Sequence, residues 1–262
     1  RPFNGKGIGR AEMESPPPEL APAIRKAYEQ EITWMDTELG KFFDWMKAEG
    51  LYDNTVIVLT SDHGEEFLEH GGWWHGTTLY DEQLHVPLVV KLANNQWAGT
   101  RVPWQVRHLD APAALAILAG AQVPMDWQGD DLFEEDFDSV AAVLNAPPSA
   151  PSDTAADAAA SDGDIDAPPP VPTIAELSDH RERVILSEEN FEGNVLASIR
   201  GDGWKYIRAN EGNPRGLETE ELYEVAVDPG ETKNLAGKDG KAQSEMSNLL
   251  LGELEKSRNV KV

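Results

Sequence analysis

The chain has 262 residues, and its 47 Asp and Glu against 22 Lys and Arg give a formal net charge of −25. Hydrophobic residues make up 40% of the chain, which is enough for a packed core and excludes wholesale disorder. The acidic excess argues against binding to nucleic acid or anionic lipid, because both need clustered Lys and Arg. Because cysteine is absent, disulfides and thiolate metal sites are excluded. The chain begins without Met or an apolar leader, and we interpret it as part of a longer protein.

The first half of the chain predicts an α/β domain. Apolar residues recur at gaps of three and four across residues 22–49, which predicts a long amphipathic helix. The β-branched run at residues 55–60 and the apolar run at residues 85–92 predict two strands buried on both faces within a sheet. A short helix over residues 111–119 is expected to follow.

The second half predicts an acidic insert and a small subdomain. Between His108 and His180 there is no Lys or Arg, but there are fifteen Asp and Glu. Residues 136–180 are rich in Ala, Pro, Ser and Asp, and they cannot bury enough apolar surface to offset the entropy of ordering. We therefore predict a disordered insert that separates an α/β domain (residues 1–135) from a C-terminal subdomain (residues 181–262).

The C-terminal subdomain is predicted to be a small antiparallel sheet followed by one helix. Its strands and helix are expected at residues 184–186, 194–200, 204–208, 221–225 and 241–256. Lys205 and Arg208 are interpreted as solvated charges on one of these strands. His85 and His108, which have no evident partner in the sequence, are interpreted as structural.

The residues after the first predicted strand carry the candidate chemistry. Ligands bind open α/β sheets at the carboxyl ends of strands, and Asp62 and His63 stand at such an end. A carboxylate and an imidazole side by side are suitable ligands for a divalent cation. The alternative is structural, with Asp62 capping a following helix and His63 packed in the core.

Two further histidines, His70 and His75, lie within twelve residues of His63, each beside glycine. The His-Glu-x-x-His signature of helical zinc proteases does not occur in the sequence, which argues against a protease. The glutamates of this stretch are interpreted as a solvated helix face: Glu65, Glu66 and Glu69.

Several segments, in the correct order, resemble the sulfatases of the alkaline phosphatase superfamily. The central ones are Ser-Asp-His-Gly-Glu at residues 61–65, Glu-His-Gly at 69–71, His-Gly-Thr-Thr-Leu-Tyr at 75–80 and Val-Pro-Leu-Val-Val at 86–90. Further similar segments lie at residues 28–55, 109–120, 203–207, 221–223 and 228–235. The resemblance implies part of an α/β/α sandwich with a small C-terminal antiparallel sheet plus helix.

The resemblance implies roles for four residues. Asp62 is expected to be a metal ligand, together with His63, which stands where many sulfatases have Asn and related phosphonate and phosphodiester hydrolases often have His. His75 takes the place of the lysine that contacts the sulfate group, so it is expected to be catalytic and substrate-binding. His70 is expected at the pocket rim, within reach of substrate. The implied metal is Ca²⁺, with Mn²⁺ or Zn²⁺ as alternatives because of the histidine ligand.

The family's nucleophile is missing from this sequence. Sulfatases carry it in a Cys- or Ser-x-Pro/Ala-x-Arg motif, whose Cys or Ser is oxidised to formylglycine, and no such motif occurs here. An early pair of acidic metal ligands is missing as well. The resemblance therefore implies the C-terminal portion of a hydrolase, inactive alone, whose formylglycine is expected upstream of Arg1.

Three functions are compatible with the sequence. The first is metal-dependent hydrolysis of sulfate esters. The second, favoured by the Asp-His pair, is hydrolysis of a phosphodiester or phosphonate, or transfer of a phosphorylated head group. The third is a non-catalytic binding protein on a degenerate sulfatase fold. The acidic charge favours a small or singly charged ester over a polysulfated polymer, and a periplasmic or extracellular setting. The oligomeric state stays open.

Overall fold

The computed structural model describes residues 15–99, 105–130, 132, 183–201 and 203–258. The helices of these residues are α1 (Ala21–Ala48), α2 (Asp81–Leu84), α3 (Asp110–Leu118) and α4 (Gly240–Arg258). Their strands are β1 (Ile57–Thr60), β2 (Glu66–Phe67), β3 (Trp73–Trp74), β4 (Leu88–Lys91), β5 (Ile185–Phe191), β6 (Asn194–Gly201), β7 (Trp204–Ala209) and β8 (Glu220–Tyr223). The predicted insert at residues 136–180 lies outside the described residues, so it and the domain boundaries stay predictions.

Helix α1 confirms the long helix that apolar spacing predicts. Its apolar side is nevertheless mostly exposed: Met46 is buried, whereas Tyr28, Ile32 and Phe42 are exposed. Helix α1 contacts β2, where the rings of Tyr28 and Phe67 meet edge-on with their centroids 5.2 Å apart. The described part of the chain therefore leaves most of the apolar side of α1 uncovered. None of the described helices is both long and apolar enough to cross a bilayer.

Strands β1 and β4 confirm the two strands predicted for the first half of the chain. They pair antiparallel, with Ile57 opposite Lys91 and Thr60 opposite Leu88. Their expected burial was wrong, since no residue of either strand is fully buried. The reason is that these strands form a two-stranded sheet within the described residues, so that each has one neighbour and incompletely covered faces.

The glutamates interpreted as a solvated helix face lie in or beside a short β-hairpin instead. Strands β2 and β3 pair antiparallel, with Glu66 opposite Trp74. Glu66 is fully buried, and its Oε1 accepts hydrogen bonds from the amide of Gly72 and from Nη2 of Arg215, each at 2.7 Å. The helix-face prediction was wrong because this segment forms a hairpin, in which Glu66 is buried and paired with the distant Arg215.

The predicted C-terminal sheet and helix are confirmed. The sheet has the order β5-β6-β7-β8 with antiparallel neighbours, and α4 covers one face. Alternation along β7 sends Tyr206 toward α4 and Ile207 to the opposite face. There Ile207 shares a core with Leu79 and Tyr80, which directly precede α2. The C-terminal sheet therefore packs against the segment that follows the candidate site.

Candidate active site

A cavity of about 1630 Å³ lies beside the end of β1. Asp62, His63 and His75 line it, as do Ser198 and Arg200 of the C-terminal sheet. The structure thus brings three of the four predicted site residues to one cavity, whose wall also includes the small sheet.

Asp62 and His63 present an oxygen and a nitrogen donor to this cavity. The amide of His63 donates to Oδ1 of Asp62 at 3.0 Å, and this hydrogen bond lowers the pKa of the exposed carboxyl. Nδ1 of His63 lies 2.8 Å from the carbonyl oxygen of Gly64 and donates to it, because that oxygen can only accept. In the neutral ring, Nε2 then keeps its lone pair, 3.5 Å from Oδ2 of Asp62.

This donor set fits a divalent cation, since a ligating histidine usually donates its other N–H to a carbonyl or carboxylate. No helix follows Asp62, so its alternative role as a helix cap is excluded. Within the described ranges, however, no three His, Asp or Glu side chains gather as a metal-binding group. The pair would therefore be part of a ligand set.

His75 stands directly against His63. The two ring centroids are 3.8 Å apart, with 30° between the ring planes. Nδ1 of His75 lies 3.0 and 3.2 Å from the two carboxylate oxygens of Glu65, so Glu65 orients the ring. Sequence reasoning missed this role of Glu65, because the hairpin that brings it to His75 was interpreted as a helix.

The structure places His70 away from the cavity lining. Its ring is largely buried and stacks on that of Tyr80, with centroids 3.6 Å apart. Nδ1 lies 2.7 Å from Oε1 of Glu82, and Nε2 lies 3.1 Å from the carbonyl oxygen of Glu231. Burial lowers the pKa of His70, but Glu82 and Glu231 together outweigh it and raise the pKa. With both ring nitrogens engaged, we revise the expected substrate contact of His70 to a structural role.

Lys205 is buried, and its interpretation as a solvated charge was wrong. It is 1% exposed, and its Nζ lies 2.9 Å from Oδ1 of Asp81 and 2.8 Å from Oε1 of Glu231. Arg200 pairs with the same Asp81. Alternation along β7 places Lys205 on the face of Ile207, toward α2, which a strand pattern alone could not decide.

His85 and His108, interpreted as structural, also line the cavity. Nε2 of His108 lies 3.4 Å from Oγ1 of Thr60, the last residue of β1. Both histidines reach the cavity through loops after α2 and before α3. Loop geometry leaves no periodic signal in the sequence, so this placement could not be predicted.

Comparisons with known proteins agree with the fold. Residues 6–121 match the sulfatase family model. The N-acetylglucosamine-6-O-sulfatase of Bacteroides thetaiotaomicron is 32% identical over 98 residues, which are 37% of this chain and 17% of that protein. Arylsulfatase K of Bos taurus is 25% identical over 226 residues, 82% of this chain and 34% of the relative. A solved 2-O GAG sulfatase is similar with a TM-score of 0.58 at 22% identity, covering 86% of this chain and 41% of that structure.

The likeness to the solved structure shows a shared fold, and in this chain the Asp-His pair stands at the end of β1. The likeness to the sulfatase family model extends over residues 6–121, which are less than half of the chain. The predicted fold class, part of an α/β/α sandwich with a C-terminal antiparallel sheet and helix, is confirmed. The chain spans 17% of the length of the N-acetylglucosamine-6-O-sulfatase and 34% of that of arylsulfatase K.

Proposed function

We propose that this chain supplies part of the active site of a metal-dependent sulfatase, which hydrolyses sulfate esters. The observation that carries the proposal is the meeting of the Asp62 carboxylate, Nε2 of His63 and the His75 ring at one cavity. Relatives named as sulfatases support sulfate over phosphate esters as the substrate.

In this proposal Asp62 and His63 are ligands of a divalent cation, Ca²⁺ in the first place and Mn²⁺ or Zn²⁺ as alternatives. A cation bound there would stabilise the negative charge on the non-bridging oxygens of the ester group. His75 contacts the same group through Nε2, because its Nδ1 is engaged with Glu65. The carboxylate of Glu65 keeps the imidazole ring in the orientation that this contact needs.

The nucleophile has to come from elsewhere. The chain contains no cysteine and no Ser-x-Pro/Ala-x-Arg motif, so a formylglycine would lie outside these 262 residues. We therefore expect the chain alone to be inactive toward esters, and the intact protein to hydrolyse them.

The test is hydrolysis of 4-nitrophenyl sulfate by the intact protein, after chelation and after addition of Ca²⁺, Mn²⁺ or Zn²⁺. We expect Asp62→Asn to lower kcat/KM by about 10²–10³-fold, because charge stabilisation at the ester group is lost. Asp44→Asn is the matched control, since Asp44 is an equally exposed carboxylate on α1, and we expect no change.

Two results would overturn the proposal. Faster hydrolysis of bis(4-nitrophenyl) phosphate than of the sulfate would select the phosphodiesterase alternative. Full activity of Asp62→Asn with retained metal dependence would remove Asp62 from the ligand set.

A further inference from the structure

Gln83 is a buried amide side chain at the centre of the segment that carries the cavity histidines. It is 3% exposed and lies in α2, one turn after the buried Tyr80. Burying a side-chain amide is unfavourable unless its donors and acceptor are hydrogen-bonded. The partners of Gln83 therefore show what its burial stabilises.

Gln83 holds the two backbone positions that directly follow the two histidines. Its main-chain carbonyl accepts a 2.8 Å hydrogen bond from the amide of Gly64, the residue after His63. Its side-chain Oε1 accepts a 2.8 Å hydrogen bond from the amide of Gly76, the residue after His75. One residue thus fixes both turns at once.

The orientation of the Gln83 amide is determined by its partners. Nε2 donates to Oγ1 of Thr78 at 2.6 Å and to Oε2 of Glu66 at 3.2 Å. The amide of Gly76 can only donate and the carboxylate of Glu66 can only accept, so the opposite orientation would lose both hydrogen bonds. The side chain is therefore held in one conformation by three residues, Gly76, Thr78 and Glu66.

The turns that Gln83 holds have little room to move. A Cβ atom on Gly64 would lie 2.0 Å from the carbonyl oxygen of Glu82, so this turn fits directly against α2. Gly76 has a φ of +80°, which side-chain-bearing residues rarely adopt. Between the two turns, the rings of His63 and His75 lie 3.8 Å apart. The ring separation is thus set by two turns anchored on one residue.

Helix α2 is itself fixed from the other side. Asp81, two residues before Gln83, pairs with Lys205 and Arg200 of the C-terminal sheet. The hydrogen bonds of Gln83 therefore connect the cavity histidines to the rigid sheet and not to a free loop.

We propose that Gln83 is a positioning residue, which sets the separation of His63 and His75 by holding Gly64 and Gly76 together. Its importance for hydrolysis rests on the proposed function. The separation of the two rings, however, can be measured in the chain without any activity, so the two proposals can fail independently.

The test compares nuclear Overhauser cross peaks between the ring protons of His63 and His75 in the 262-residue chain and in Gln83→Met. Methionine keeps the volume but loses every side-chain hydrogen bond of Gln83. A loosening of about 1 Å, the usual consequence of an unsupported site, lowers this cross peak by about fourfold. In the intact protein we expect kcat/KM to fall by about 10²-fold, since a misplacement of that size disturbs the reacting geometry.

Gln243→Met is the matched control. Gln243 of α4 also accepts a hydrogen bond from a glycine amide, that of Gly237 at 2.7 Å, and donates to a glutamate, Glu220. It contributes nothing to the cavity lining. We expect Gln243→Met to retain the cross peak and kcat/KM, although it loses hydrogen bonds of the same kinds.

An unchanged cross peak in a folded Gln83→Met chain would overturn the proposal, as would an equal loss in Gln243→Met. If Gln83→Met fails to fold, Thr78→Val decides, because it removes one acceptor of Gln83 and keeps the side-chain shape. We expect a weaker cross peak in Thr78→Val, and an unchanged one would overturn the proposal. Inactivity of the intact protein toward sulfate esters leaves this result unaffected.

Discussion

Nζ of Lys205 lies 2.8 Å from Oε1 of Glu231, and both side chains are 1% exposed. The two groups form an ion pair. Oε1 of Glu231 accepts no hydrogen bond from the described residues, so this contact does not have the geometry of a hydrogen bond. The same Nζ lies 2.9 Å from Oδ1 of Asp81. Burial raises the pKa of Glu231, whereas at Asp81 the charges of Lys205 and Arg200 outweigh burial and lower the pKa. The ammonium group of Lys205 thus pairs with both carboxylates, those of Asp81 and Glu231.

We expect Lys205→Met to lower the free energy of unfolding by about 3–5 kcal/mol, because both carboxylates stay buried without their common partner. Urea unfolding of the chain measures this change. Lys241→Met is the control: Lys241 is 86% exposed and lies 3.8 Å from Glu245, and an exposed pair of this kind contributes less than about 1 kcal/mol. Equal, small losses in both variants would show that the buried pair adds no stability.

Gly64, in the turn after His63, is expected to have no room for a larger side chain. In Gly64→Ala the new Cβ would lie 2.0 Å from a main-chain oxygen of Glu82, so the backbone has to shift, at a cost of about 1–3 kcal/mol. The same substitution at Gly40, inside α1 with no neighbour within 4 Å, is expected to stabilise the chain by about 1 kcal/mol. Thermal unfolding of the two variants tests whether their changes in stability have opposite signs. A stable Gly64→Ala would contradict the close approach of this turn to α2.

His70 is expected to make stability depend on pH. Its folded-state pKa is raised above 6.5, because Glu82 and Glu231 outweigh the effect of burial. Its stabilising contribution is therefore complete below pH 6.5 and is lost as the pH rises through the folded-state pKa. We expect the difference in free energy of unfolding between the chain and His70→Gln to shrink as the pH rises from 6.5 through the folded-state pKa of His70.

The control for His70 is His85→Gln, because the His85 side chain is 76% exposed and lies 4.0 Å from Asp81. We expect the pH-dependent change in His70→Gln to exceed that in this control. A difference in His70→Gln that stays constant with pH would show that His70 does not gain a proton on folding.

The sequence predicted those parts of the fold that local patterns control. The spacing of apolar residues along α1 and the β-branched run that contains β1 each mark an element through its own residues. The Ser-Asp-His-Gly segment likewise predicted Asp62 and His63 at the end of a strand, where both line the cavity. What these predictions share is a signal within about ten consecutive residues.

The parts that the sequence could not predict depend on distant partners. Glu66 is buried because Arg215 reaches it, and Lys205 is buried because Asp81 and Glu231 surround it. A charged residue is normally solvated, so only knowledge of its partner reverses the expectation. No sequence pattern predicted the role of Gln83, because that role depends on two turns that approach each other only in the folded chain.

Titration of the chain with Mn²⁺ is the sharpest test of whether Asp62 and His63 hold a divalent cation. The ring proton signals of each histidine report how close the paramagnetic ion binds. In the unsubstituted chain we expect the His63 signals to broaden at a lower Mn²⁺ concentration than those of the exposed His85. Asp44→Asn is expected to behave in the same way. In Asp62→Asn we expect the earlier broadening of the His63 signals to disappear. Broadening of His63 that is no earlier than that of His85, or that persists in Asp62→Asn, would contradict the account.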